Sequence, residues 1–206
     1  LAGAFGSLAF LVALFALIMQ SYELSQHRVE FKRMNQSMVK QRLEQTFFEM
    51  LNTHGQLIRD MRVQTRMGTT VEGREALRYM KGELFRSFDR AEKLEDVQDA
   101  YTLFWRVCRP HLSHYFRFLF NFFRLLDEKD VNDEFYAKVL RSQLSNEELS
   151  LLYYNCISVD GQPFERYART FQIFDNIGET DFENYSHRKL LSPEVFGAKT
   201  AERLGL

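Results

Sequence analysis

The feature that most constrains this chain is an apolar stretch at its start that contains no charged side chain. Residues 1–19 are almost entirely Leu, Ala, Phe, Val, Ile and Gly. A helix rises about 1.5 Å per residue, so a helix of this length spans roughly the 30 Å hydrocarbon core of a bilayer. We therefore predict a transmembrane helix over residues 1–22.

Two other structures compete for this stretch, a buried core helix and a secretory signal peptide. A signal peptide has a basic first region, a shorter apolar core and small residues at its cleavage site. This chain starts directly in apolar sequence, and residues 20–23 read Gln-Ser-Tyr-Glu, which is a poor cleavage site. We favour the transmembrane helix over both alternatives.

The charges that follow the apolar stretch predict its orientation. Basic residues flank transmembrane helices mainly on the cytoplasmic side. This rule acts over about twenty residues from the end of the helix. Four basic residues lie within that distance here: Arg28, Lys32, Arg33 and Lys40. The chain has two cysteines. A secreted domain of this size more often has several cysteines that form a disulfide framework. We expect the remainder of the chain to be cytoplasmic.

The remainder of the chain is long enough for one domain with a sizeable core. No Pro or Gly interrupts residues 20–54, which predicts a helical stalk over residues 23–54. Its apolar residues Leu24, Phe31, Met34 and Met38 approach a heptad pattern that Gln41 and Gln45 interrupt, so coiled-coil assembly is only weakly indicated. Residues 55–206 form the predicted cytoplasmic domain.

Helix-start signals recur along that domain, and no segment shows convincing strand alternation. Thr69 to Glu72 fits a capping box that would begin a helix running to about Arg90. A further helix is expected from about Leu94 to Leu126, bent or interrupted at Pro110. The most complete signal is Ser145 with Glu148, flanked by Leu144 and Leu149 as a hydrophobic staple, and Ser192-Pro193-Glu194 repeats this pattern. The predicted fold class is all-α.

The most unusual predicted helical segment runs from His111 to Leu126. Most of its residues are aromatic or aliphatic, and its polar residues form one narrow stripe. Successive stripe residues are three or four positions apart, which places them on one side of a helix. They are His111, His114, Arg117, Asn121 and Arg124, followed by Glu128. The stripe is interpreted either as the solvent-facing strip of a central helix, or as a polar groove or buried ion-pair network.

The sequence favours no metal, cofactor or catalytic residue. Cys108, His111 and His114 have a spacing that invites a metal site, but Pro110 disturbs the geometry and no fourth ligand is near. Arg106 and His111 match the loose spacing of a ribonuclease motif of HEPN-domain toxins only weakly, because Val107 replaces the usual polar residue. The net charge of −1 gives no strong nucleic-acid signal.

Four blocks of the sequence resemble the phage abortive-infection family related to AbiC, whose members are membrane-anchored. They are residues 47–58, 73–75, 114–127 and 136–155. The last block is the most specific, and it carries Arg141, Gln143, Ser145, Glu148, Tyr154 and Asn155 as further candidate functional or structural residues. Phe118 departs from the polar residue expected after the arginine of the 114–127 block.

This resemblance implies antiphage defence, in which infection arrests or kills the infected cell. It supplies no catalytic residues, so we expect a sensor or effector that acts through membrane lipid, self-association and a phage-derived or defence-system protein trigger. The implied location is the bacterial inner membrane, with residues 1–22 as the second helix of a transmembrane hairpin. The alternatives are a membrane-bound scaffold or regulatory subunit and, less favoured, a HEPN-like ribonuclease toxin.

Overall fold

The computed structural model describes residues 2–88, 91–128 and 134–206, and their side chains from residue 14 onward. This part of the chain is mostly helical, in agreement with the predicted all-α class, with one short strand pair added. The helices are α1 (Ala2–Arg59), α2 (Gly73–Ser87), α3 (Leu94–Glu128), α4 (Glu134–Gln143), α5 (Asn146–Ile157), α6 (Glu165–Phe171) and α7 (Ala198–Leu204). Short 3-10 turns connect α5, α6 and α7.

The predicted helix start at Thr69 is wrong, because this segment is a strand. Strands β1 (Arg62–Gln64) and β2 (Thr70–Glu72) pair antiparallel, with Arg62 opposite Glu72. β-branched residues at 70 and 71 favour an extended backbone, and Gly68 has the positive φ of +81° that the tight turn between the strands requires. Helix α2 then begins at Gly73 without a side-chain cap.

Helix α3 is one element across Pro110, where the sequence predicted a bend or an interruption. Proline removes one backbone donor and disturbs the preceding turn. Pro110 is exposed, so water can satisfy the carbonyl group that loses its partner. The buried side of α3 is rich in aromatic residues, among them Tyr115, Phe122 and Phe123.

Helix α5 begins with the predicted capping box, which is confirmed. The Ser145 hydroxyl accepts a hydrogen bond from the backbone N–H of Glu148, and the Glu148 carboxylate accepts one from the backbone N–H of Ser145. Every residue from Glu148 to Ile157 is buried, so α5 is the central helix of the domain. The second predicted start, Ser192, caps a 3-10 turn over Pro193–Val195 instead of an α-helix.

Contacts between residues divide the chain into two compact units, Leu1–Met50 and Leu51–Leu206. In the first unit the side chains of residues 14–42 are all exposed. Within the described ranges, no helix is both long enough and apolar enough to cross a membrane. The predicted span over residues 1–22 is thus not supported by the structure, and the side chains of residues 1–13 lie outside the described part.

Candidate functional site

The fully buried Glu148 carboxylate lies at the centre of a polar network in the second unit. One oxygen, Oε1, accepts hydrogen bonds from His54 Nε2 at 2.8 Å and from the Tyr115 hydroxyl at 2.6 Å. The other, Oε2, accepts from the backbone N–H of Ser145 at 2.9 Å. This carboxylate therefore joins the last turns of α1, the middle of α3 and the start of α5.

The protonation states of this network follow from its hydrogen bonds. Burial raises the pKa of Glu148, but the hydrogen bond and charge of His54, with the donors Tyr115 and Ser145, outweigh it, and the net pKa is lowered. Burial and the Glu148 charge raise the pKa of Tyr115, so its hydroxyl keeps its proton and donates. The network is an ionised carboxylate surrounded by donors, which suits positioning rather than proton transfer.

A second buried network surrounds Tyr154 at the other end of α5. His187 Nε2 lies 2.7 Å from the carbonyl oxygen of Ala91, which only accepts, so this nitrogen carries a hydrogen. The Tyr154 hydroxyl lies 2.9 Å from His187 Nδ1 and accepts a hydrogen bond from the backbone N–H of Glu183 at 3.0 Å. Burial raises the pKa of Tyr154. Tyr154 thus acts as a core residue that ties α5 to the C-terminal turns.

Two further residues of the predicted signature, Arg141 and Gln143, differ in burial. Arg141 is buried, and its Nη1 donates to the carbonyl oxygen of Phe171 at 2.6 Å. Gln143 is exposed at the end of α4. Arg141 therefore fixes α4 to the end of α6, a structural role.

The polar stripe of α3 faces solvent and does not form a single site. His114, Arg117, Asn121 and Arg124 are exposed, whereas His111 is half-buried. The exposed residues bond locally: Arg117 Nε donates to the Ser113 carbonyl oxygen, Asn121 donates to the Arg117 carbonyl oxygen, and Arg124 lies 3.5 Å from the Glu128 carboxylate. Of the two interpretations, the structure matches the solvent-facing strip.

The two His111 spacings that the sequence does not favour, a metal site with Cys108 and a ribonuclease motif with Arg106, gain no geometric support either. His111 lines a cleft of about 370 Å³ between α3 and the β1–β2 hairpin, together with Cys108, whereas Arg106 is exposed and does not line it. Burial raises the pKa of the Cys108 thiol to about 12, which leaves little thiolate for metal binding or attack. In the portion that is described, no three His, Cys, Asp or Glu side chains are placed to hold a metal ion.

Arg117 and Asn155 come together in a different cleft, of about 430 Å³. One wall is a face of α3 and the other is the end of α5 with the turn that follows it. Its lining residues are Trp105, Arg109, Ser113, Phe116, Arg117, Phe120, Asn155, Asp160, Gly161, Pro163 and Phe164. This volume lies within the range of about 300–1,000 Å³ typical of small-molecule sites. We define this surface as the Arg109–Arg117 cleft.

Asn155 forms the floor of the Arg109–Arg117 cleft and is held rigidly. Its side-chain oxygen accepts a hydrogen bond from the Tyr101 hydroxyl at 3.0 Å, and only 6% of the residue is exposed. Gly161 packs so closely that a Cβ at this position would overlap the carbonyl oxygen of Asn155. The amide group of Asn155 is therefore presented in one orientation.

Sequence reasoning missed several residues of these sites. His54, Tyr115 and His187 carry no local signal, because their partners lie between 33 and 96 positions away along the chain. Arg109 carries a recognisable signal: it precedes Arg117 by eight positions, close to two helical turns, and therefore shares its side of α3.

A comparison with protein families gives a match within this helical domain. Residues 107–182 match the family described as "putative phage abortive infection protein". This match confirms the family resemblance over the blocks at residues 114–127 and 136–155, and it spans the capping box and most of the Arg109–Arg117 cleft. No curated protein and no solved structure matches the chain significantly.

Proposed function

We propose that this protein acts in antiphage defence by abortive infection, as a sensor and effector anchored to the bacterial inner membrane. The observation that carries the proposal is the family match over residues 107–182. These residues contain the candidate residues from His111 to Asn155 and the central helix α5. The proposed role is therefore assigned to the domain that contains both buried networks.

The proposed membrane contact rests on the sequence of residues 1–22. This stretch has no charged residue before Glu23, and basic residues follow it. In this proposal residues 1–22 contact lipid, residues 23–54 form a stalk, and residues 55–206 lie in the cytoplasm. Anionic lipid headgroups would attract the basic residues next to the membrane.

Self-association is the second part of the proposal. Apolar side chains that recur along α1 are exposed in this single chain, including Leu24, Phe31, Met34 and Met38. Their spacing of three, four or seven residues places them on one side of the helix. A second copy of this helix would cover that side, so we propose a homo-oligomer.

The Glu148 network gives the proposal a physical route for signalling. His54 belongs to the last turns of α1, and residues 1–22 belong to the same continuous helix. A phage-derived or defence-system protein trigger that displaced α5 would move the Glu148 carboxylate away from His54. The proposed effect is a change in α1, expressed at the membrane.

The function is tested by expressing the chain in a bacterial host and challenging it with a diverse phage panel. We expect at least a tenfold loss of plaque yield for a susceptible phage, with death of infected cells before progeny are released. A matched strain carries the same gene with an early stop codon. Equal plaque yield in both strains across the whole panel would contradict the proposal.

A further inference from the structure

The Arg109–Arg117 cleft has a strong excess of hydrogen-bond donors. Arg109 forms no hydrogen bond or ion pair with any residue in the described ranges. Arg117 uses only its Nε, on the Ser113 carbonyl oxygen, so both of its Nη groups are available. Two guanidinium groups that share one cleft favour an anion, and phosphate and carboxylate match their fork geometry best.

The floor of the cleft adds a donor that lacks a partner. The Asn155 Nδ2 group makes no hydrogen bond with any described residue. Among the described residues no fully buried side-chain nitrogen or oxygen lacks a partner, so this amide nitrogen is open to the solvent of the cleft. It can therefore donate a hydrogen bond to an acceptor on a ligand.

Aromatic rings form the other part of the cleft surface. Trp105 and Phe116 lie nearly parallel, with ring centroids 5.9 Å apart, and Phe120 lies further along the same face of α3. Phe116 is buried, and Trp105 also stacks on Tyr101. The half-buried Trp105 and Phe120 are therefore the rings that a planar group such as a nucleobase would contact. Asp160, across the cleft, forms no hydrogen bond or ion pair within the described ranges and offers an acceptor for ligand hydroxyl groups.

We propose that the Arg109–Arg117 cleft binds a nucleoside phosphate. Its phosphate contacts the two guanidinium groups, its base contacts Trp105 or Phe120 and the Asn155 amide group, and its sugar hydroxyl groups donate to Asp160. A nucleoside phosphate combines the anionic, planar and hydroxyl-bearing parts that the cleft accommodates. The proposal concerns binding alone and is independent of the role in phage defence.

The chain provides its own probe for this site, because Trp105 is its only tryptophan. The full chain, purified in mild detergent, is titrated separately with AMP, GMP, CMP and UMP, and selectively excited tryptophan fluorescence is recorded. We expect a saturable change with at least one of the four. Equilibrium dialysis with the same nucleotide checks that the optical change reports binding.

Two arginine variants and one matched control test the geometry. Arg109→Ala and Arg117→Ala should each weaken binding about tenfold or more, since each removes a charge-assisted hydrogen bond. Arg106→Ala removes an exposed arginine of the same helix that does not line the cleft, and it should leave the affinity unchanged. Circular dichroism melting confirms that all three variants fold.

The nucleoside of whichever nucleotide binds, and inorganic phosphate, complete the test. Both should bind at least tenfold more weakly than the corresponding nucleotide. The proposal is overturned if dialysis detects no binding at millimolar nucleotide, if phosphate alone binds equally well, or if all three arginine variants bind like the wild type. Each of these results would leave the phage-challenge experiment unaffected.

Discussion

At the scale of single residues, the Glu148 carboxylate has the most demanding surroundings in the described structure. It is fully buried, and each of its three hydrogen bonds comes from a different element or turn. A buried carboxylate without its partners would be strongly destabilising. We therefore expect the free energy of unfolding to depend on Glu148 more than on any neighbouring acidic residue.

Replacing Glu148 with Gln tests this dependence. The substitution keeps the shape but brings an NH₂ group against one of the existing donors, so we expect a loss of about 3 kcal/mol in the free energy of unfolding. Urea denaturation measures it. The matched control is Glu147→Gln, which removes a half-buried carboxylate 3.5 Å from Arg78 and should cost less than about 0.5 kcal/mol.

The Glu148→Gln variant also separates the contribution of Glu148 to the pH dependence of stability from that of other groups. Because the folded pKa of Glu148 is lowered, its contribution is fully present above the ordinary carboxyl pKa of 4.5 and is lost as pH falls through the lower folded value. The wild type should lose stability in that acidic window more steeply than Glu148→Gln. Parallel pH profiles of the two proteins would contradict this assignment.

At the scale of elements, the capping box is the device that starts α5. Both of its hydrogen bonds are present, and Glu148 contributes one oxygen to the box and the other to the buried network. The box is therefore part of the core as well as a local helix signal. Changes at Ser145 and Glu148 should not be additive, because the two residues share this structure.

Removing the cap by Ser145→Ala should lower the free energy of unfolding by about 1 kcal/mol. Ser142→Ala is a suitable comparison, because Ser142 is exposed and its hydroxyl bonds only within α4, donating to the carbonyl oxygen of Val139 and accepting from Gln143 Nε2. That change should stay within about 0.5 kcal/mol of the wild type. Equal losses for both variants would show that the box contributes nothing beyond an ordinary surface serine.

Local signals predicted some elements well and others wrongly. The α5 start was predictable because both members of the capping box lie within four residues. The Thr69 box has the same pattern, yet Arg62–Gln64 pairs with Thr70–Glu72 and this strand pairing replaces the helical turn. A local motif thus fails where a partner at longer range competes for the same backbone groups.

At the scale of the whole molecule, the membrane proposal has a direct test. Deleting residues 1–22 should release the chain from the membrane fraction of expressing cells, because the apolar stretch is then absent. The full chain should stay in the pellet after a carbonate wash. Immunoblotting of the fractions measures both outcomes.

A charge variant distinguishes insertion from surface adsorption. Arg28→Gln with Lys32→Gln weakens electrostatic attraction to anionic lipid but leaves the apolar stretch intact. This variant should remain in the carbonate-washed pellet. Release of the full chain by carbonate would refute an inserted anchor.

The sequence by itself determined the helical class, the α5 capping box and the family resemblance. These depend on residues that are close together in the chain, so spacing and residue type are sufficient to predict them. Only the tertiary structure decided which polar residues meet. His54 reaches Glu148 across 94 positions, and Arg117 shares its cleft with Asn155, because helix packing brings distant segments together. The same packing left the α3 stripe facing solvent, since its apolar neighbours fill the core.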